Sequence, residues 1–165
     1  MPETPKSRVG AILAELCRFQ VDFVVVGGVA AALEGVPVNT FDLGVVHSRK
    51  SENIDRLLAA LDSLEAVYRL QPSLALRPDA SHLQSPGHQL LKTRCGPLDV
   101  LGEIGRSRGY DELLPHTDDM ELGGGLRVRV LNLETLIAVK EEVAGEKDLA
   151  VLPVMRRTLQ EKRRR

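Results

Sequence analysis

The apolar residues of this chain follow two periodicities, and their order predicts a domain that mixes helices with strands. Apolar residues at helical spacing predict a first amphipathic helix over about residues 7–20. Residues 21–26 are almost continuously apolar, which is typical of a strand that is covered on both faces. A slim, alanine-rich helix is predicted over 28–33, and a second strand over 41–46.

The middle of the chain adds a third helix and then a less regular stretch. The helix is predicted to begin at Ser51, which we expect to cap it, and to carry one apolar stripe. That stripe consists of Ile54, Leu57, Leu58, Leu61 and Leu64. A short strand is predicted over 67–70. Three prolines between residues 72 and 87 predict a long loop, and a loop of that length is often functional.

Two hairpins are predicted in the next part of the chain. Their strands cover residues 89–94, 98–101, 120–122 and 126–130. The first pair is joined by Cys95-Gly96-Pro97, and the second pair flanks three consecutive glycines. Residues 102–118, between the hairpins, are predicted to be irregular apart from one helical turn over 110–114.

Helices are predicted to close the chain. Asn132 is expected to cap a helix over 133–144, and Gly145 is expected to end it. A last helix is predicted from about residue 147, with Pro153 bending or interrupting it.

These elements together predict an α/β (α+β) fold, with a mixed β-sheet flanked by helices and followed by C-terminal helices. The length of 165 residues predicts a single domain over residues 1–165. We expect its core to cover about residues 8–130 and its C-terminal helical segment about residues 132–162.

Charge and composition narrow the classes of function. The net charge of -1 predicts no general attraction to nucleic acid or membrane, and 3% aromatic residues argue against a surface that stacks on bases. No apolar run is long enough to span a bilayer. The two cysteines fit no disulfide framework or zinc pattern, so we expect a soluble, cytoplasmic protein. The four histidines are expected to be surface or structural residues.

Gly27 and Gly28 stand directly between the first strand and the helix that follows it. Glycines at such a helix start leave backbone N–H groups open to an anion, which the helix dipole also favours. The alternative is that they only let a small helix pack closely on the sheet, and the pair by itself favours neither. The spacing does not match the dinucleotide-binding fingerprint.

Asp42 and Asp99 are acidic residues within apolar, strand-like runs. Because burying a lone carboxylate is costly, each is expected to have a partner or a metal ion, or else to lie at a strand end and cap a loop. Lys140 falls within the apolar stripe of the helix over 133–144. Its ammonium group is expected either to extend to solvent or to meet an anion such as a nucleotide phosphate.

The segments VVVGGVAAALEG, TFD at Thr40 to Asp42, LDVL around Asp99 and LETLIAVKEEVAGEKDLAVLP resemble the nucleotidyltransferase fold of the DNA polymerase β type. They are similar in particular to small prokaryotic proteins related to minimal nucleotidyltransferases and to toxin–antitoxin components. The resemblance covers about residues 8–160.

The resemblance implies a Mg²⁺-dependent transfer of a nucleoside monophosphate from an NTP to an acceptor hydroxyl. It implies that Gly27, Gly28, Thr40 and Lys140 bind the nucleotide, and that Asp42 and Asp99 are the catalytic, metal-binding carboxylates. It leaves the acceptor open among a protein, a tRNA and a small molecule, and it suggests a partner protein if the chain belongs to a toxin–antitoxin pair.

The chain departs from the resembled pattern at Gly44, where the second metal-binding carboxylate is expected. Glycine offers no side chain to a metal ion, and the loss of such a ligand commonly costs about a thousandfold in rate. Two alternatives therefore stay open. The chain is either an active nucleotidyltransferase or a catalytically degenerate member of the fold that binds a nucleotide or a partner.

Overall fold

A seven-stranded mixed sheet forms the centre of the computed structural model, which describes residues 5–40, 42–143 and 146–165. Its strands are β1 (Phe23–Val26), β2 (Leu43–His47), β3 (Val67–Tyr68), β4 (His88–Thr93), β5 (Gly96–Leu101), β8 (Thr117–Glu121) and β9 (Arg127–Leu131). They lie in the order β3-β4-β5-β2-β1-β9-β8. β1 pairs with β9, and β2 with β5, in parallel, while the other neighbours are antiparallel. This architecture confirms the predicted mixed fold.

Helices surround the sheet. They are α1 (Pro5–Arg18), α2 (Gly27–Leu33), α3 (Ser51–Ser63), α4 (Ala80–Gln84), α5 (Tyr110–Leu113), α6 (Leu133–Glu142) and α7 (Glu146–Arg163). α1 contacts α3, and α2 contacts β1, β2 and α6. α7 packs against α6 and so joins the C-terminal segment to the domain.

The four residues of β1 and the five of β2 are all buried. The apolar run over 21–26 therefore does form a strand that is covered on both faces, as its pattern predicted. In β9 the expected alternation is also present, since Val128 and Val130 are buried whereas Arg127 and Arg129 are exposed. Asn132 caps α6, as predicted, because its side chain accepts a hydrogen bond from the Thr135 N–H at 2.9 Å.

The predicted long loop over 72–87 is wrong in part. A single 3-10 turn spans Pro72–Leu74, and α4 spans Ala80–Gln84. Asp79 starts α4 through a capping box, in which its carboxylate accepts from the His82 N–H while the His82 ring accepts from the Asp79 N–H. Leu83 on this helix is fully buried, so the segment is anchored to the core.

Other local predictions need correction. Ser51 does not cap α3, because the cap position is occupied by Lys50 and no side chain caps the helix there. The stretch 102–118 contains the predicted helical turn, α5, but also a small ribbon of β6 (Glu103–Ile104) and β7 (Arg108–Gly109). Pro153 does not interrupt α7, which runs continuously past it. The predicted end of α6 at Gly145 lies outside the described residues.

Candidate functional site

The glycine turn between β1 and α2 has a steric reason for each of its glycines. Gly27 has φ of +69°, a left-handed conformation that other residues rarely adopt. At Gly28, a Cβ atom would lie 3.0–3.1 Å from three side-chain atoms of Thr40. Thr40, which the resemblance implies to be a nucleotide-binding residue, therefore packs directly on the turn. No side chain caps the start of α2.

Gly28→Ala is expected to lower the free energy of unfolding by about 1–2 kcal/mol, because the new methyl group must displace Thr40. The cost should largely disappear when Thr40 is replaced by glycine in the same chain, since that change removes all three contacting atoms. Urea denaturation of the two single variants and the double variant measures this coupling. Gly10→Ala in α1, where nothing lies within 4 Å of the new Cβ, is the matched control and should not lower stability. A Gly28→Ala variant as stable as the control would contradict the packing role of Thr40.

Asp99 belongs to a row of directly opposed residues that crosses four strands on one face of the sheet. Leu90 on β4 and Gly44 on β2 are its two neighbours in the ladder, and Val26 on β1 is opposite Gly44. Arg69, just after β3, extends the row because its backbone N–H donates to the Leu90 carbonyl at 2.9 Å. Asp99 and Leu90 are only half-buried, so this face is partly open beside β4 and β5.

The carboxylate of Asp99 is held by Arg69. The Nη1 atom of Arg69 donates to Oδ1 of Asp99 at 2.9 Å and to the Leu91 carbonyl at 2.9 Å. Arg69 was not among the candidate residues that the sequence indicated. Its role depends on the β3–β4–β5 register, and no local motif marks it.

Asp42 precedes β2 by one residue and is exposed. Gly44 stands two residues further on, opposite Asp99, and a Cβ there would meet Val26 and Leu101 at ordinary distances of 3.6 and 3.8 Å. A Cβ atom would therefore fit at this position, but the chain supplies no carboxylate there.

These residues do not fit the Mg²⁺-binding centre that the resemblance implies. In the described part of the chain, no three His, Cys, Asp or Glu side chains are grouped so that they could hold a metal ion. One predicted ligand is paired with an arginine, another is exposed before its strand, and the third position is a glycine. Mg²⁺ is commonly held by one or two carboxylates together with water and substrate phosphates, and here one of the two carboxylates is already paired with Arg69.

A cavity of about 490 Å³ opens next to the glycine turn. Its walls come from the end of β1, the end of β5, the β6–β7 ribbon and α6. The lining residues are Val26, Gly27, Pro86, His88, Leu101, Glu103, Ile104, Gly105, Ser107, Leu136, Val139, Lys140 and Val143. The cavity thus brings together Gly27 and Lys140, two of the predicted nucleotide-binding residues. Gly28, Thr40, Asp42 and Asp99 are not among its lining residues.

Ion pairs fix the ribbon that forms one wall of this cavity. Arg108 on β7 donates to Glu142 on α6 at 2.5 Å, and the backbone N–H of Arg106 donates to the same carboxylate at 3.0 Å. The hydrogen bond from Arg108 is the main reason that the pKa of Glu142 is lowered from its ordinary value. On the opposite side, Arg49 pairs with Glu103 at 2.7 Å. The ribbon is therefore tied both to α6 and to the segment that precedes α3.

His47 is buried at the end of β2, as a structural histidine would be. Its Nδ1 atom lies 3.1 Å from the Ser48 carbonyl, and burial lowers the pKa of the ring. It lines a second, polar cavity of about 330 Å³ together with Arg49, Lys50 and Tyr110. That cavity is at the end of β2 remote from Asp42 and Gly44.

Comparisons with solved structures find two proteins of similar fold. A Thermotoga maritima protein provisionally assigned as a nucleotidyltransferase superposes with a TM-score of 0.57 at 16% identity, over 93% of this chain and 91% of that one. The antibiotic-resistance factor ANT(2'')-Ia superposes with a TM-score of 0.58 at 17% identity, over 93% of this chain and 83% of that one. No protein-family model and no curated protein matches the sequence.

The molecule is therefore an α/β protein with a nucleotidyltransferase-like fold. The likeness extends over nearly the whole chain, but at 16–17% identity it shows the fold alone. None of the helices in the described residues is long and apolar enough to cross a membrane.

Proposed function

We propose that this chain is a nucleotide-binding member of the nucleotidyltransferase fold that does not carry out metal-dependent nucleotidyl transfer. The observation that carries the proposal is the register of β2 against β5, in which Gly44 lies opposite Asp99. The position that would complete the carboxylate set has no side chain. The neighbouring carboxylate is paired with Arg69.

The cavity beside the glycine turn supports nucleotide binding. Its volume of about 490 Å³ is within the range of small-molecule sites, and most of its lining is apolar, with a few polar groups. In this proposal the phosphates lie against the backbone at Gly27, and Lys140 on α6 provides a positive charge to the same cavity. The apolar side chains of α6 and β5 then pack against the planar nucleobase of the nucleotide.

A thermal-shift series tests nucleotide binding. We expect each bound NTP to raise the melting temperature by about 5–10 °C at a concentration a hundredfold above its Kd, because the ligand favours the native state. Lys140→Met should reduce the shift at a fixed concentration. Arg157→Met, an exposed charge change on α7, is the matched control and should leave it unchanged. If no NTP shifts the melting temperature of the unaltered protein, nucleotide binding is refuted.

The second candidate function is Mg²⁺-dependent transfer of a nucleoside monophosphate from an NTP to a hydroxyl of a protein, a tRNA or a small molecule. The specific observation in its favour is that Asp42, directly before β2, and Asp99, on the neighbouring β5, lie near the same end of the β2–β5 ladder. Labelled NTPs, candidate acceptors and divalent ions distinguish the two candidates. Transfer is established if the unaltered protein labels an acceptor as fast as Gly44→Asp does and if Asp42→Ala abolishes the labelling. That result would overturn the non-catalytic proposal.

A further inference from the structure

We propose that Arg69 is the resident cation of this site. Its guanidinium group takes, at Asp99, the place of a divalent ion, so that the carboxylate has its counter-cation built into the chain. Val26, opposite Gly44 in the same row, also lines the cavity beside the glycine turn, and an anionic ligand that reaches from this cavity onto the face then needs no metal ion. The statement about the ligand rests on the proposed function, whereas the statement about Asp99 does not.

The backbone aims Arg69 at Asp99. Arg69 follows β3, and its N–H bond to the Leu90 carbonyl places it in the same cross-strand row as Asp99, with one strand between them. The side chain crosses that strand and ends on the carboxylate at 2.9 Å. The Leu91 carbonyl accepts a second bond from the same nitrogen, so the guanidinium group has two anchors.

The pairing changes what Asp99 can bind. An arginine is charged at any ordinary pH, so it neutralises the carboxylate and repels an approaching divalent ion. With Gly44 providing no ligand, a metal ion would have to displace Arg69 and would then find Asp99 and an exposed Asp42. The set of possible metal ligands is thus reduced twice: Gly44 has no side chain, and Asp99 is already paired with Arg69.

The guanidinium group is also placed to meet an anion. Both hydrogen bonds of the Arg69 guanidinium group use Nη1, so its Nε and Nη2 have no partner among the described residues. The side chain is 29% exposed, and that of Asp99 is 25% exposed. A planar edge with two N–H-bearing nitrogens matches the geometry of phosphate or carboxylate oxygens.

Mn²⁺ titration of the nucleotide-free protein, followed by electron paramagnetic resonance of free Mn²⁺, tests the proposal directly. We expect no Asp99-dependent Mn²⁺ binding in the unaltered protein. We expect Arg69→Gln to gain Mn²⁺ binding with an affinity at least about tenfold above any residual binding by the unaltered protein, because the ion no longer competes with a paired cation. The gain should disappear in Arg69→Gln/Asp99→Asn. Arg77→Gln is the matched control, since it breaks an exposed arginine–aspartate pair with Asp62 and should gain nothing.

Two results would overturn the proposal. One is Mn²⁺ binding by the unaltered protein that Asp99→Asn abolishes, a comparison that needs no Arg69 variant and so holds even if Arg69→Gln fails to fold. The other is a folded Arg69→Gln variant, verified by circular dichroism, with the same Mn²⁺ affinity as the unaltered protein. In that case Arg69 serves only to attach the short strand β3 to the sheet.

The nucleotide arm is separate. If Arg69 replaces the metal ion at Asp99, ATP should raise the melting temperature equally in EDTA and in Mg²⁺. A shift that requires Mg²⁺ contradicts the resident cation while leaving nucleotide binding intact. The absence of any shift refutes the proposed function, and the Mn²⁺ titration then decides the role of Arg69 alone.

Discussion

Gly102→Ala is expected to lower the free energy of unfolding by about 3 kcal/mol. A Cβ atom at this position would lie 2.2 Å from the Ser85 carbonyl oxygen and 2.8–2.9 Å from backbone atoms of Pro86. These are backbone atoms, so they cannot turn away as the end of a flexible side chain can. Gly102 and Glu103 also bind this segment, through N–H bonds to the carbonyls of Gly87 and Pro86 at 3.0 and 3.1 Å.

The Gly102 prediction has a functional side, because Pro86 lines the cavity beside the glycine turn. An alanine that pushes the segment away should also weaken ligand binding there. Denaturant titration measures the stability, and Gly44→Ala is the matched control. At Gly44 the nearest atoms to a new Cβ are at 3.6 and 3.8 Å, so a change of less than about 1 kcal/mol is expected. Equal denaturation midpoints and slopes for the two variants would contradict the prediction, because they would show that the backbone over 85–87 moves aside at little cost.

The stability of the protein is expected to fall by about 2–3 kcal/mol as the pH rises from about 4.5 to 7, through the single residue Glu34. Glu34 is 3% exposed. Burial raises its pKa to about 7, and the nearby Asp118 carboxylate adds to the rise, while Lys162 at 2.6 Å opposes it. The Oε2 atom of Glu34 has no hydrogen-bond partner among the described residues, which is costly when the group is ionised.

The direction follows from proton binding. The folded pKa of Glu34 is above its ordinary value of 4.5, so between these two pH values the folded state holds more protons than the unfolded state, and stability falls with rising pH. Glu34→Gln should remove this part of the profile and be more stable than the unaltered protein at pH 8. Urea titrations across pH measure the difference. Glu65→Gln, an exposed acid, is the control and should follow the unaltered protein. Parallel profiles for Glu34→Gln and the unaltered protein would refute the prediction.

Much of the architecture could be predicted from the sequence because its largest signals are local. The uninterrupted apolar run of β1 and the alternation in β9 each reflect how side chains are distributed over two faces of a strand. The elements that were missed, α4 and the β6–β7 ribbon, are short and polar. α4 begins with reciprocal hydrogen bonds between Asp79 and His82. Without the local backbone conformation, these two residues are only weak evidence for the start of a helix.

The candidate site was predictable only in its residue types. The sequence itself shows two glycines beside a predicted strand and acids within apolar runs. It also shows that Gly44 stands where an acid is expected. The Asp99–Arg69 pair joins residues 30 positions apart and requires the correct register of three strands. The cavity likewise depends on the packing of α6 over the end of β1, which no motif records.

The borders of the sheet bear on how the protein behaves at high concentration. One outermost strand, β3, has only two residues, too few to template a new strand. The other, β8, carries the exposed acids Asp118, Asp119 and Glu121, of which Asp119 is paired with Arg127 at 3.2 Å. If the β8 strands of two copies paired edge to edge, these acids would lie close together. The repulsion between their carboxylates opposes the growth of a continuous sheet from molecule to molecule.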